Sequence, residues 1–431
     1  MKYLIRQGRL VDPVSGIGGV MDILLDDGRV AVIGSNLFSP GAQVINAKGY
    51  VVCAGLVDLH AHLMEPGFEY RETVASGVRS GAAGGYTSVA CMPDTQPPID
   101  VPGGVAYLKE LSVKTPGSRV IPIAALSRER LGQEVCDYGA LKSAGAAAVS
   151  DAKPIANANL LRDAMILACR QGLTVLSYCE EAELSQNFAV NEGRVSRQLR
   201  IPGRPAIAEE LQVMRDVMLA EETGCAVHIC RVSTARSVAI IRRYKRKGVA
   251  VTCETCPQYF TFTEDEVLQQ GAAARLEPPL RTPADVEGII EGLKDGTIDA
   301  IASDHTPCGD WEKDQPLTQA LPGMVGLETT LAASLTALYH TKKMSLSDIL
   351  RTLTINPACI LRLPGSGRLA VGCDADLVIF DPDQEWVVDP ERFYSLGRNT
   401  PFRGKRLRGK VKYTLVGGEI VYQEGEKEGT L

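Results

Sequence analysis

The chain has 431 residues, 45% hydrophobic and 23% charged, with a net charge of −6. That balance suits an ordinary globular protein with a sizeable core, and without a long basic run it gives no reason to expect nucleic acid or an anionic membrane surface as a partner. No stretch approaches the roughly eighteen consecutive apolar residues of a membrane span, and the twelve cysteines, with no export signal in MKYLIRQGRLVDP, read as reduced thiols of a cytoplasmic protein.

In chain order, the first 50 residues carry LIRQGRLVDP and DILLDDGRVAVIG, short strands broken by Gly and Asp. From Val51 onward β-rich runs recur, most followed by a helix-like stretch: VVCAGLVDLHAHL, YTSVACMP, RVIPIAAL, AAAVSD, TVLSYCEE, AVHICRVS, VAVTCETCP and IDAIASDH. Most intervals are about 25 to 50 residues, the size of a βα unit with its loops. Apolar runs buried on both faces fit a parallel sheet covered by helices. Eight such units predict a (β/α)8 TIM-type barrel of about 300 residues, with a doubly wound open sheet as the alternative on counting alone. Residues 367–431 return to the texture of the N-terminus with GRLAVGCDADLVIFDP and VKYTLVGGEIVYQEG. The expected organisation is therefore a composite β-sandwich, residues 1–52 with 366–431, around a barrel over 53–365.

The polar residues of these runs gather at their C-terminal ends, where barrel enzymes place their sites. His60 and His62 end the first run, Asp94 follows the second and Asp151 ends the fourth. Tyr178 lies in the fifth, His228 and Arg231 in the sixth, and Asp304 and His305 end the eighth. Residues two apart on a strand point the same way, so His60 and His62 can grip one ion. Two imidazoles with the carboxylates of Asp151 and Asp304 suit zinc or a similar divalent metal. The competing readings are a hydrogen-bonded histidine pair at a loop mouth, and Asp304 as a helix N-cap before Thr306 and Pro307.

GLVDLHAHLMEPG, GGYTSVACMPDTQPP, CEEAEL, HICRVST, EPPLR, DGTIDAIASDHTP and PGMVGLET resemble the dihydroorotases of the amidohydrolase superfamily, as do GRLAVGCDADLVIFDP and NTPFRGKRLRGKVKYTLVGGEIVY. The resemblance spans nearly the whole chain. It implies the barrel with its terminal sandwich, interconversion of dihydroorotate and carbamoyl aspartate in pyrimidine biosynthesis, and a dimer. It also implies that His60, His62, Asp151 and Asp304 hold or bridge metal.

Two further family ligands, both histidines, are replaced by Tyr178 and Arg231. The expectation is a site for one ion per chain, with the Arg231 guanidinium in the vacated seat, paired with Asp151 and able to stabilise an oxyanion. Two unit charges about 4 Å apart in an effective dielectric of 20 interact by roughly 4 kcal/mol, so a fixed cation opposes a second metal. Cys179 and Cys230 adjoin the altered positions and are expected to point outward by alternation.

The substrate shell departs as well. Met64 stands where the family's carboxylate-gripping arginine would be, Asp94 and Glu277 stand for asparagines, and Cys308 stands for a histidine. Pro322 and Gly323, in a loop expected to lie over this face, are expected to let backbone amides approach a ligand closely. This set loses one positive charge and gains two negative ones, which favours a neutral or cationic cyclic amide over dihydroorotate. In the working site Asp304 would be the general base. The rival expectation is a degenerate subunit that supports assembly of aspartate carbamoyltransferase.

Overall fold

The computed structural model describes residues 1–425. Strands β1 (Lys2–Val11), β2 (Gly18–Asp26), β3 (Arg29–Gly34), β4 (Gln43–Asn46) and β5 (Val51–Ala54) precede eight strands of a second sheet. Those eight are β6 (Leu56–Ala61), β7 (Tyr86–Cys91), β8 (Arg119–Ala124), β9 (Ala148–Val149), β10 (Thr174–Tyr178), β11 (Val227–Cys230), β12 (Val251–Thr255) and β13 (Ala300–Ile301). The chain closes with β14 (Leu377–Val387), β15 (Arg406–Val416) and β16 (Glu419–Gln423).

Strands β6 to β13 pair in sequential, parallel order, each with its chain neighbour. The parallel bridge Ala61–His305 and the hydrogen bond from His62 N–H to the His305 carbonyl (2.8 Å) bring the last strand end back to the first. This is the barrel that eight βα units predict, and its closure carries His60 and His62 to Asp304 across about 240 residues of chain. Alternation decides which side chains face inward. Ser177 and Cys179 both bond Asp216, on the covering helix Ile207–Thr223, so Leu176 and Tyr178 point into the barrel. Ala90, Ile123, Ala148, Leu176 and Cys230 belong to one buried cluster, and a larger one joins the strands to the helices. Each fully buried aliphatic side chain contributes about 1.5–3 kcal/mol.

The two termini meet in one sheet of order β16-β15-β14-β5-β1-β2-β3, with β4 beside β1. It encloses its own core of Ile5, Leu10, Ile23, Val52, Leu377, Ile379 and Leu415. The run VVCAGLVDLHAHL is divided between the bodies: Val51–Ala54 pairs with β14 and Leu56–Ala61 opens the barrel. The crossing therefore falls at Gly55, slightly beyond the expected boundary at 52. A side chain there would stand 2.1 Å from Thr87 Cγ2, and its N–H donates to the Asp376 carbonyl at 2.9 Å. Arg119 on β8 pairs with the Asp376 carboxylate, a second tie across the same joint.

Candidate functional site

A cavity of about 340 Å³ opens at the C-terminal ends of the barrel strands. That is at the lower end of the roughly 300–1,000 Å³ typical of small-molecule sites. His62, Met64, Asp94, Tyr178, Arg231, Glu277, Asp304, Pro322 and Gly323 all line it, as do Arg71, Ala152 and Lys153. Four of these residues leave their strands in the left-handed region: Met64 (φ 60°), Ala152 (51°), Arg231 (53°) and Asp304 (51°). Such backbone costs about 1–3 kcal/mol per residue and concentrates where side chains must be re-aimed.

The histidines are fixed from behind. His60 Nδ1–H donates to Glu254 at 3.1 Å, and His228 Nε2–H donates to the other Glu254 oxygen at 3.2 Å. The Thr252 hydroxyl, 2.9 Å away, is placed to donate to His228 Nδ1. Burial alone would raise the Glu254 carboxyl, but the two imidazole donors outweigh it and hold it at about 2. Burial, then the Arg231 charge, lowers the His60 pKa and favours a neutral ring. His62 Nδ1–H lies 2.7 and 2.8 Å from the two oxygens of Asp94. These bonds commit both Nδ1 atoms as donors and leave both Nε2 atoms with lone pairs. Both Nε2 atoms are buried and without a hydrogen-bond partner.

Asp304 completes this corner. Ligand atoms of His60, His62 and Asp304 lie within 4.8 Å of one another, all buried. Two orphaned imidazole nitrogens facing one carboxylate fit a divalent cation with nitrogen and oxygen ligands. A second grouping, His60, Cys230 and Glu254, is equally compact. Its His60–Glu254 contact is already a hydrogen bond, and burial followed by the Glu254 charge keeps the Cys230 thiol protonated. It supports the first group and is no cage of its own.

Three expectations about the metal side are corrected. Asp151 does not join the cluster. One of its oxygens accepts from the Leu126 and Ser127 amides (2.9 Å each) and the other from the Ser127 hydroxyl (2.5 Å). Ala152, turned by its positive φ, lines the cavity instead. Arg231 therefore pairs not with Asp151 but with Asp304, Nη1 to Oδ1 at 3.1 Å, and it donates to the Glu277 carbonyl at 2.9 Å. The other Asp304 oxygen accepts from Gln258 Nε2 at 2.8 Å. Cys230 faces inward, because alternation runs through His228 and Cys230 and only the left-handed turn at 231 brings the next residue to the mouth.

The altered positions meet each other. The Arg231 guanidinium carbon lies 4.1 Å from the Tyr178 ring centroid, a cation–π contact. Burial, then the Glu180 charge, raises the Tyr178 pKa well above its usual value, so the ring stays a neutral phenol. Its hydroxyl donates to Glu180 at 3.1 Å.

The substrate-shell expectations divide. Met64, Pro322 and Gly323 reach the cavity. Cys308 does not: its buried thiol lies against the Thr306 and Pro322 carbonyls and beside a separate surface cleft. Asp94 serves His62, and Arg71 bonds Glu312. Glu277 bonds Arg204 at 2.9 Å, and Arg204 also holds Glu180. The two expected negative charges are thus each tied to a local partner, Asp94 to the His62 N–H and Glu277 to an Arg204 that it shares with Glu180. Glu254, Gln258 and Arg204 were not singled out in the sequence; a carboxylate inside the apolar run VAVTCETCP was the available sign of the first.

Comparison with known proteins agrees with this architecture. Residues 49–237 match the dihydro-orotase-like family model and residues 218–422 the amidohydrolase family model. A dihydroorotase of Pelotomaculum thermopropionicum is 46% identical over 425 residues, covering 98% of this chain and 99% of the relative. One from Syntrophus aciditrophicus is 43% identical over 427 residues, covering 98% and 100%. Among solved structures, the L-hydantoinase (dihydropyrimidinase) of Arthrobacter aurescens superposes with a TM-score of 0.89 at 26% identity, covering 98% of this chain and 96% of its own. A barrel mouth with two orphaned imidazoles and an aspartate, together with full-length relatives at this identity, places the chain in the dihydroorotase family of amidohydrolases.

Proposed function

We propose that this protein is a metal-dependent cyclic amidohydrolase that opens a ring by hydrolysing an amide C–N bond. The observation that carries the reading is the convergence of the unpartnered His60 and His62 Nε2 atoms on Asp304. These three residues would hold one ion per chain, zinc or a similar divalent metal. When bound, such an ion supplies Lewis acidity for water and for the amide carbonyl. Asp304, with Gln258 fixing one oxygen, takes the proton of the attacking water and returns it to the leaving nitrogen. Arg231 keeps a full positive charge beside Asp304, where an oxyanion would develop. Pro322 and Gly323 bound the ring from the rim.

The substrate is proposed to be an uncharged cyclic ureide of the hydantoin or dihydropyrimidine kind, with weaker turnover of dihydroorotate. Met64 offers no donor to a carboxylate, and a charge-assisted bidentate contact of that type is worth a few kcal/mol. Asp94 and Glu277 are engaged by His62 and Arg204 but keep their negative character, so the missing fork and these carboxylates disfavour an anionic ring together. The proposal includes a cytoplasmic homodimer, and the division into a terminal unit (1–52 with 366–431) and a barrel (53–365), the first boundary moving to Gly55.

A second reading has its own support: Arg231 and Gln258 between them occupy both oxygens of Asp304, as a closed and inactive site would have it. In that case the chain is a scaffold subunit for aspartate carbamoyltransferase. Metal analysis of protein purified without chelator, followed by assays on dihydroorotate, dihydrouracil and hydantoin, separates the two. About one ion per chain and ring opening support the enzyme. Metal-free protein inert on all three rings, yet binding a carbamoyltransferase tightly, supports the scaffold.

A further inference from the structure

One turn of helix beside the cavity touches three of the loops that form its mouth. It spans Asp310–Lys313, nine residues beyond the end of the eighth strand at Ile301. The Lys313 ammonium donates to three backbone carbonyls, those of Arg275, Leu321 and Gly323, each at 2.9 Å. All three of its protons are thereby used, and no carboxylate pairs with it among the described ion pairs. Leu321 and Gly323 flank Pro322 in the cavity wall. The Arg275 carbonyl also accepts from Gly323 N–H at 3.1 Å, and the Arg275 side chain bonds the Leu317 carbonyl at 3.0 Å.

The adjoining side chains reach the opposite way. Glu312 accepts from Arg71 Nε at 2.8 Å and from the Tyr70 hydroxyl at 3.1 Å, and also binds Arg71 Nη2. Trp311 stacks on Tyr70 with ring centroids 6.3 Å apart. Gly323 has φ +133°, and a side chain there would stand 2.7 Å from Thr306 Cγ2, so the rim accepts one backbone path. A buried ammonium spent wholly on carbonyls does nothing for a charge balance. It fixes the course of a loop.

We propose that Lys313 and Glu312 are positioning residues of the substrate site: Lys313 holds the Leu321–Gly323 wall against the Arg275 loop, and Glu312 ties the same turn to the loop bearing Arg71. Neither lines the cavity. Their effect falls on how well the ring is held and not on the chemical step. The groups facing Lys313 are the Arg275 guanidinium and the Cys308 thiol, with Asp310, Asp314, Arg398 and Arg403 along the neighbouring cleft. Burial brings the ammonium down to about 8, with the Arg275 charge acting in the same sense. A neutral amine can serve only two of the three carbonyls, so the wall loses a tether as the pH rises through that value.

The inference rests on the functional reading for its kinetic arm only. Hydrogen exchange is measured by mass spectrometry on wild type, Lys313→Met and Glu312→Gln, together with kcat and KM for whichever of hydantoin, dihydrouracil and dihydroorotate is opened. In Lys313→Met, amides of 317–324 are expected to exchange about tenfold faster with the barrel strands unchanged, and KM to rise about tenfold with kcat within twofold. Trp311 fluorescence should titrate near pH 8 in wild type and not in Lys313→Met. If Lys313→Met loses protection throughout the barrel, Glu312→Gln decides, with faster exchange expected in 66–72 and 309–313. Unchanged exchange in these loops, or a fall in kcat at constant KM, overturns the proposal. Should wild type open none of the rings, the functional reading falls and the exchange result still decides this one.

Discussion

The two sides of the barrel mouth are built on opposite principles. On the side of β6 and β13, His60, His62 and Asp304 are held from behind while two imidazole nitrogens are left free. On the side of β10 and β11, Tyr178 and Arg231 satisfy each other and their neighbours: ring against guanidinium, hydroxyl on Glu180, guanidinium on Asp304 and a carbonyl. The first side is incomplete without a ligand. The second already holds a fixed charge and needs none. A binding site is recognised by polar atoms that the fold orients yet leaves unsatisfied, more than by residue type alone.

The largest test of this contrast is His60→Ala or His62→Ala. Either should drop metal content from about one ion per chain to near zero and slow ring opening by ~10³-fold or more, since a metal supplies several kcal/mol of transition-state stabilisation. Retained metal in both variants would erase the distinction between the sides. Next is Glu254→Gln, which removes the charge between two buried imidazoles. Losing the charged acceptor of two buried hydrogen bonds costs about 1.5–3 kcal/mol per bond, read from urea melts, and metal affinity should fall about 10–100-fold. The pH dependence has a definite sign. Glu254 sits at about 2, below its ordinary 4.5, so its stabilisation is complete above pH 4.5 and is lost as the pH falls toward 2. The variant should lack that share of the acid limb.

Met64→Arg adds the absent fork beside the metal side. It should lower KM for dihydroorotate by about 10–100-fold while leaving hydantoin no better bound. The smallest change in ring opening is expected for Tyr178→His combined with Arg231→His, which also gives up the buried Arg231–Asp304 pair. The lost stack is worth about 0.5–2 kcal/mol, and removing the fixed cation should let metal analysis rise from one ion toward two.

The barrel and the pairing of its termini were legible because burial imposes periodicity, and each strand carried its own apolar run. The approach of His60 and His62 to Asp304 followed once the strands were ordered. One misreading has a local cause. Period-two alternation was extended past the last hydrogen-bonded residue, where Ala152 and Arg231 turn left-handed. That step put Cys230 outside the cavity, while Asp151 was placed in it by its position at the end of a run and by the family resemblance. Partners distant in sequence were the other gap. Nothing local to Asp94, Glu277 or Glu254 announces His62, Arg204 or His228, so a carboxylate that serves a neighbour looked like one offered to a substrate.

The single-glycine crossing at Gly55 has a mechanical consequence. With no slack between β5 and β6, and with Arg119 gripping Asp376 over the same seam, the terminal sheet is riveted to the floor of the barrel and cannot swing as a separate lobe. Trimming β16 would strip a partner from β15, and trimming β1 would strip one from β5, the two strands that flank β14. Heat should melt both bodies in one transition, and neither can be grafted onto another protein without the other.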